Sequence, residues 1–120
     1  MGLFSKKNSD TNPSANPTTS SSLKIKVTND GAAYTFLLDG RLDTLTSPGL
    51  EGKVGEVIDD AGKLIFDLEK LDYISSAGLR VLLGAAQAMD GKGEMVVRNL
   101  SQDVRDIFDL TGFSLMFNIE

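Results

Sequence analysis

The sequence predicts an α/β domain, a mixed and mostly parallel sheet with about three covering helices, entered through an N-terminal β-hairpin. Three observations lead there. From Leu23 onward apolar and polar residues alternate with a period of two, and a second β-rich run follows a short Asn-Asp-Gly cluster. Beyond it, apolar residues at helical spacing alternate with short apolar runs of strand length. Strands that alternate with helices join most readily through right-handed crossovers, which makes neighbouring strands parallel.

The elements follow in order. Leu23, Ile25 and Val27 point one way and Lys24 and Lys26 the other, as in a half-buried strand. Asn29-Asp30-Gly31 tolerates positive φ and turns the chain into Tyr34–Leu38, which closes the hairpin. Ser47 followed by Pro48 has the form of an N-cap with proline at the first helical position, and Leu50, Val54, Val57 and Ile58 share one face of the helix. Gly49, Gly52 and Gly55 each cost that helix roughly 1 kcal/mol relative to Ala, so it depends on tertiary packing.

Lys63–Leu68 is the next strand, and after Asp72-Tyr73-Ile74 the period changes: Leu79, Leu82, Leu83 and Ala86 form a helical stripe that ends near Gly91. Glu94–Asn99 is a further strand. Ser101 caps a last helix with Asp103 in its first turn, Val104, Ile107 and Phe108 inward, and Gly112 at its end. Phe113–Ile119 is expected to close the domain as an extended apolar tail. No internal repeat is visible. Residues 1–22 are mostly Ser, Thr, Asn and Pro and bury too little to offset their ordering entropy, so a disordered tail over 1–22 and one domain over 23–120 are expected.

Composition narrows the chemistry. The 120 residues suffice for one compact core. With neither His nor Cys, the chain lacks the groups for Ser-His-Asp or cysteine nucleophiles, thiol redox chemistry and the usual zinc sites. A net charge of -5, with no basic run longer than Lys6-Lys7, lacks the footprint of direct nucleic-acid binding. No stretch approaches the roughly 18 apolar residues that cross a bilayer and the start lacks a signal-peptide core, so a cytoplasmic protein without membrane insertion is expected. Met1-Gly2 opens like a myristoylation signal, but Lys6 stands where Ser or Thr is required. Gly91-Lys92-Gly93 precedes a strand and reads as a turn, and Asp103, Asp106 and Asp109 lack calcium-loop spacing. Nothing in the sequence calls for a cofactor or a metal, and an enzyme reading has no phosphate loop to rest on.

Loops at the carboxyl ends of parallel strands are the usual functional edge. Two turns fall there: Gly40-Arg41-Leu42-Asp43 after the second strand, and Tyr73-Ile74-Ser75-Ser76-Ala77-Gly78-Leu79 at a strand-to-helix junction. If Ser76 is the N-cap, its hydroxyl meets the free N–H groups and positive dipole end, where a phosphate is readily accepted. A serine there also serves as a plain structural cap, and Asp43 as a turn-stabilising carboxylate.

Three stretches together resemble the STAS domain of anti-sigma factor antagonists: Gly40-Arg41-Leu42-Asp43, the run LDYISSAGLRVLL from Leu71 to Leu83, and the closing Ile107-Phe108-Asp109-Leu110-Thr111-Gly112-Phe113. The resemblance covers the chain from about Leu23 to its end and implies a STAS-like single domain. It implies a non-enzymatic switch that binds an anti-sigma factor serine kinase when unmodified and lets go when phosphorylated, with a serine phosphatase to reverse it. The phosphoacceptor it implies is Ser76, two residues before the glycine. Asp43, Ser75, Ala77, Gly78 and Leu79 would then lie on the partner-binding surface. Ser75 and Ala77 stand where members often have Asp and Ser or Thr. The alternative is a STAS accessory subunit of a membrane transporter, which neighbouring transporter genes would favour; a kinase or phosphatase gene would favour the switch.

Overall fold

The computed structural model describes residues 22–120. The expectation of a disordered tail over 1–22 lies outside the described residues, apart from Ser22.

The hairpin forms as expected. Strand β1 (Leu23–Asp30) pairs antiparallel with β2 (Ala33–Leu42), from Leu23 opposite Gly40 to Asp30 opposite Ala33. The domain reaches one residue further back than its first strand, because the Ser22 carbonyl accepts the Arg41 N–H at 2.9 Å. Helix α1 (Ser47–Val57), strand β3 (Lys63–Ile74), helix α2 (Ser76–Met89), strand β4 (Glu94–Arg98) and helix α3 (Gln102–Thr111) follow. A single 3₁₀ turn over Phe113–Leu115 and a two-residue strand β5 (Asn118–Ile119) close the chain. The sheet has five strands in the order β1-β2-β3-β4-β5, parallel everywhere except in the hairpin.

The core alternates as a pleat requires. Phe36 and Leu38 of β2 and Leu64, Phe66 and Leu68 of β3 are buried, and the Phe36 and Phe66 rings stack with centroids 5.2 Å apart. Leu50 and Val54 of α1, Leu79, Leu82 and Ala85 of α2, and Val104 and Phe108 of α3 join them in one cluster. This is why α1 holds despite its glycines: its two fully enclosed side chains sit in the shared core.

Three expectations need correction. Ser47 does not cap α1; the cap position is Thr46, and Ser47 is a buried residue of the first turn whose hydroxyl donates to the Asp43 carbonyl at 2.6 Å. Strand β3 does not stop at Leu68 but runs to Ile74, paired with β2 throughout, with register shifts between Leu37 and Asp39 and between Gly40 and Arg41. Each shift places an extra residue on β3, and those bulges erase the alternation by which a strand is read. The tail after Gly112 is not extended, since a 3₁₀ turn occupies its first half. Its Phe113 and Phe117 rings, with Phe108 of α3, make successive contacts at 5.8 Å.

Candidate functional site

The register of the parallel β2–β3 pair puts Leu42 beside Ile74, so the two chains leave the sheet at the same edge. The ladder continues one step past the strands, with the Ser75 N–H donating to the Leu42 carbonyl at 2.9 Å. That bond sets which of two adjacent serines begins helix α2.

Ser75, not Ser76, is the N-cap. Its backbone is extended, with φ -99° and ψ 177°, and its hydroxyl accepts from the Gly78 N–H at 3.4 Å. The Ser75 carbonyl accepts the Leu79 N–H at 2.9 Å, the first bond of the helix. Ser76 is therefore the first helical residue, exposed, and its hydroxyl makes no hydrogen bond among the described residues. The N–H groups of Ser76 and Ala77 are first-turn donors with no intrahelical carbonyl to meet. An aspartate at this place would cap the helix as well as the serine does.

Gly78 allows this arrangement. A Cβ there would lie 2.7 Å from Leu42 Cγ and 2.9 Å from Ile74 Cγ1, so no side chain fits between α2 and the strand ends. Leu79, next along, is buried in the core. The implied partner surface is narrowed accordingly: Gly78 and Leu79 are enclosed and hold α2 in position, whereas Ser76 is exposed and Ser75 and Ala77 are half-buried.

Asp43 organises the neighbouring turn. Its Oδ1 accepts the N–H groups of Leu45 at 3.0 Å and Thr46 at 3.1 Å, and its Oδ2 lies 3.7 Å from Arg41 Nε. The Thr46 hydroxyl accepts the Asp43 N–H at 2.9 Å and gives its one proton to the Arg41 carbonyl at 2.7 Å. Asp43 is thus the turn-stabilising carboxylate that its position allows, with a side chain 13 % exposed. Arg41 lies over the cross-strand Tyr73 ring at 4.4 Å, a cation–π contact on the same edge. Leu45 projects from this turn.

The sequence reading missed a second polar cluster. Asp67, buried near the middle of β3, accepts the Glu69 N–H at 3.1 Å and the Asn99 side-chain amide at 3.1 Å, and lies 3.6 Å from Arg98 Nε. Asn99 adopts φ 61°, a left-handed conformation that asparagine tolerates. The signal was available, since Asp67 is the one charged residue inside the apolar run Leu64–Leu68.

Residues 24–120 match the family model of the STAS domain. BtrV of Bordetella bronchiseptica, named as an anti-sigma factor antagonist, is 38% identical over 84 residues, which cover 68% of this chain and 72% of BtrV. Among solved structures, an anti-sigma factor antagonist from Mycobacterium paratuberculosis superposes with a TM-score of 0.77 at 24% identity, covering 84% of this chain and 87% of the other. The phosphorylated form of the Bacillus cell fate determinant SpoIIAA shares the fold with a TM-score of 0.64 at 19% identity, covering 82% and 91%. The edge built from the Asp43 turn and the Ser75-Ser76 helix start therefore belongs to a member of the STAS domain family, with relatives named as anti-sigma factor antagonists.

Proposed function

We propose that this domain is an anti-sigma factor antagonist whose unmodified form binds an anti-sigma factor that is itself a serine kinase, and whose release follows phosphorylation of Ser76. The observation that carries the reading is the division of labour between two adjacent serines. The Ser75 hydroxyl is engaged as the cap of α2, while the Ser76 hydroxyl stands exposed at the first helical position. Only the second is free for transfer without dismantling the start of the helix.

The chemistry is a phosphoryl transfer from a nucleoside triphosphate held by the kinase. Ser76 Oγ forms a bond to the γ-phosphorus, the bond from that phosphorus to the departing nucleoside diphosphate breaks, and the hydroxyl proton passes to a base on the kinase. On this chain the phosphate meets the first-turn N–H groups and the positive end of the α2 dipole, which favour it. On the partner it introduces about -1.5 to -2 charges into a closed surface, at the same sheet edge as the carboxylate of Asp43, and like-charge repulsion and desolvation drive release. A serine phosphatase then restores the binding form.

Mass spectrometry after incubation with the kinase and ATP tests the site. Ser76→Ala is expected to abolish incorporation and Ser75→Ala to retain it. Phosphate that persists in Ser76→Ala contradicts the assignment.

A further inference from the structure

Resting on the reading that this edge docks a serine kinase, we propose that Leu45 is the apolar anchor by which that kinase recognises this chain, seated in an apolar pocket beside the kinase's phosphoryl-transfer site. Exposure alone would not single it out. Leu45 is 68% exposed, but Leu110 is 87% exposed, and isolated surface leucines are common.

What distinguishes Leu45 is how firmly its backbone is held. Its own N–H is bonded to Asp43 Oδ1, the same oxygen fixes Thr46, and the Thr46 hydroxyl ties the far side of the turn to the Arg41 carbonyl. The Ser47 hydroxyl adds a bond from α1 to the Asp43 carbonyl. The turn is in turn fastened to α2, through the Ser75 N–H to the Leu42 carbonyl and through the close seat of Gly78 on Leu42. The backbone that carries Leu45 is thus tied to the strand end on which the start of α2, with Ser76, is seated.

An apolar side chain on a backbone so held, at the same edge as a nucleophile, has a specific use. The backbone share of the ordering cost of docking it is already met in the free protein, so more of its burial goes into affinity. Because it lies off the reacting atoms, that affinity positions Ser76 Oγ toward the phosphorus and is the same before and during transfer. The partner chemistry that fits is a concave apolar pocket, with the Arg41–Tyr73 pair and the Asp43 carboxylate at its rim.

The test uses the full chain and the serine kinase purified from the source cells by its transfer of phosphate to Ser76. Leu45→Ala is expected to raise KM by about tenfold or more with kcat within about twofold, because truncating a buried leucine removes most of its transfer free energy from binding alone. Leu45→Met, which keeps the apolar volume, is expected to stay within about threefold of the parent. Leu110→Ala, on α3, serves as the exposed-leucine control and should match the parent. Since Leu45 is exposed, the variants keep the parent's thermal midpoint, which circular dichroism checks. Parent-like KM in Leu45→Ala, or a loss confined to kcat, overturns the anchor while leaving Ser76 as phosphoacceptor. If no kinase transfers phosphate to Ser76, the docking reading itself fails and Leu45 with it.

Discussion

At the scale of single residues, the site turns on which of two neighbouring serines supplies a structural oxygen. Sequence reasoning located the pair, and it selected Ser76 through the family resemblance. It also made Ser76 the conditional cap, and there it went wrong, because tandem serines are equally good caps by composition. The choice is made by a long-range bond, Ser75 N–H to the Leu42 carbonyl, which has no local signature. Ser75→Ala removes the acceptor for the Gly78 N–H, and a lost serine cap costs about 1 kcal/mol. Urea denaturation is expected to show that loss with an unchanged dependence on denaturant, whereas Ser76→Ala, which removes no side-chain hydrogen bond among the described residues, should leave stability close to the parent's.

Among the elements, α2 and α3 were the most legible, since each has an apolar stripe and serine N-caps, and α3 ends at Gly112 in the left-handed conformation. Strand β3 was half legible. Asp67 and Leu68 are both buried and Glu69 and Lys70 both exposed across its first bulge, so no period-two template spans it. The start of α1 was misread because its N-terminal order comes from Asp43, four residues before the helix begins, rather than from Ser47. The contact between elements that most directly builds the site is α2 on the ends of β2 and β3. Gly78→Ala places a methyl group against Leu42 and Ile74 and forces α2 outward. Such overpacking costs about 1–3 kcal/mol, and we expect a denaturation midpoint lowered to match, despite alanine's better helix propensity. A midpoint equal to or above the parent's would show that α2 shifts freely on the strand ends.

For the molecule as a whole, fold class and chain order were readable because each element's local pattern agrees with its neighbours', and the sheet follows chain order without a strand exchange. What could not be read was the geometry of the shared edge, which depends on the β2–β3 register. Since residues 1–21 are mostly Ser, Thr, Asn and Pro and offer few apolar side chains to a core, a chain of residues 22–120 is expected to fold alone. Its thermal midpoint should lie within a few degrees of the full protein's; a much larger fall would show that part of the first 21 residues docks on the domain.

Phosphate on Ser76 is expected to act on the partner surface and not on this fold. The direct measurement is the affinity of the Ser76 kinase for the unmodified chain and for the Ser76-phosphorylated chain, taken alongside the circular dichroism spectrum and thermal midpoint of each. A dianion placed in a desolvated contact is expected to weaken binding by at least about tenfold, with spectrum and midpoint nearly unchanged because the α2 N-terminus accommodates the charge. Equal affinity of the two forms, or loss of binding that comes with unfolding of the phosphorylated chain, would contradict it.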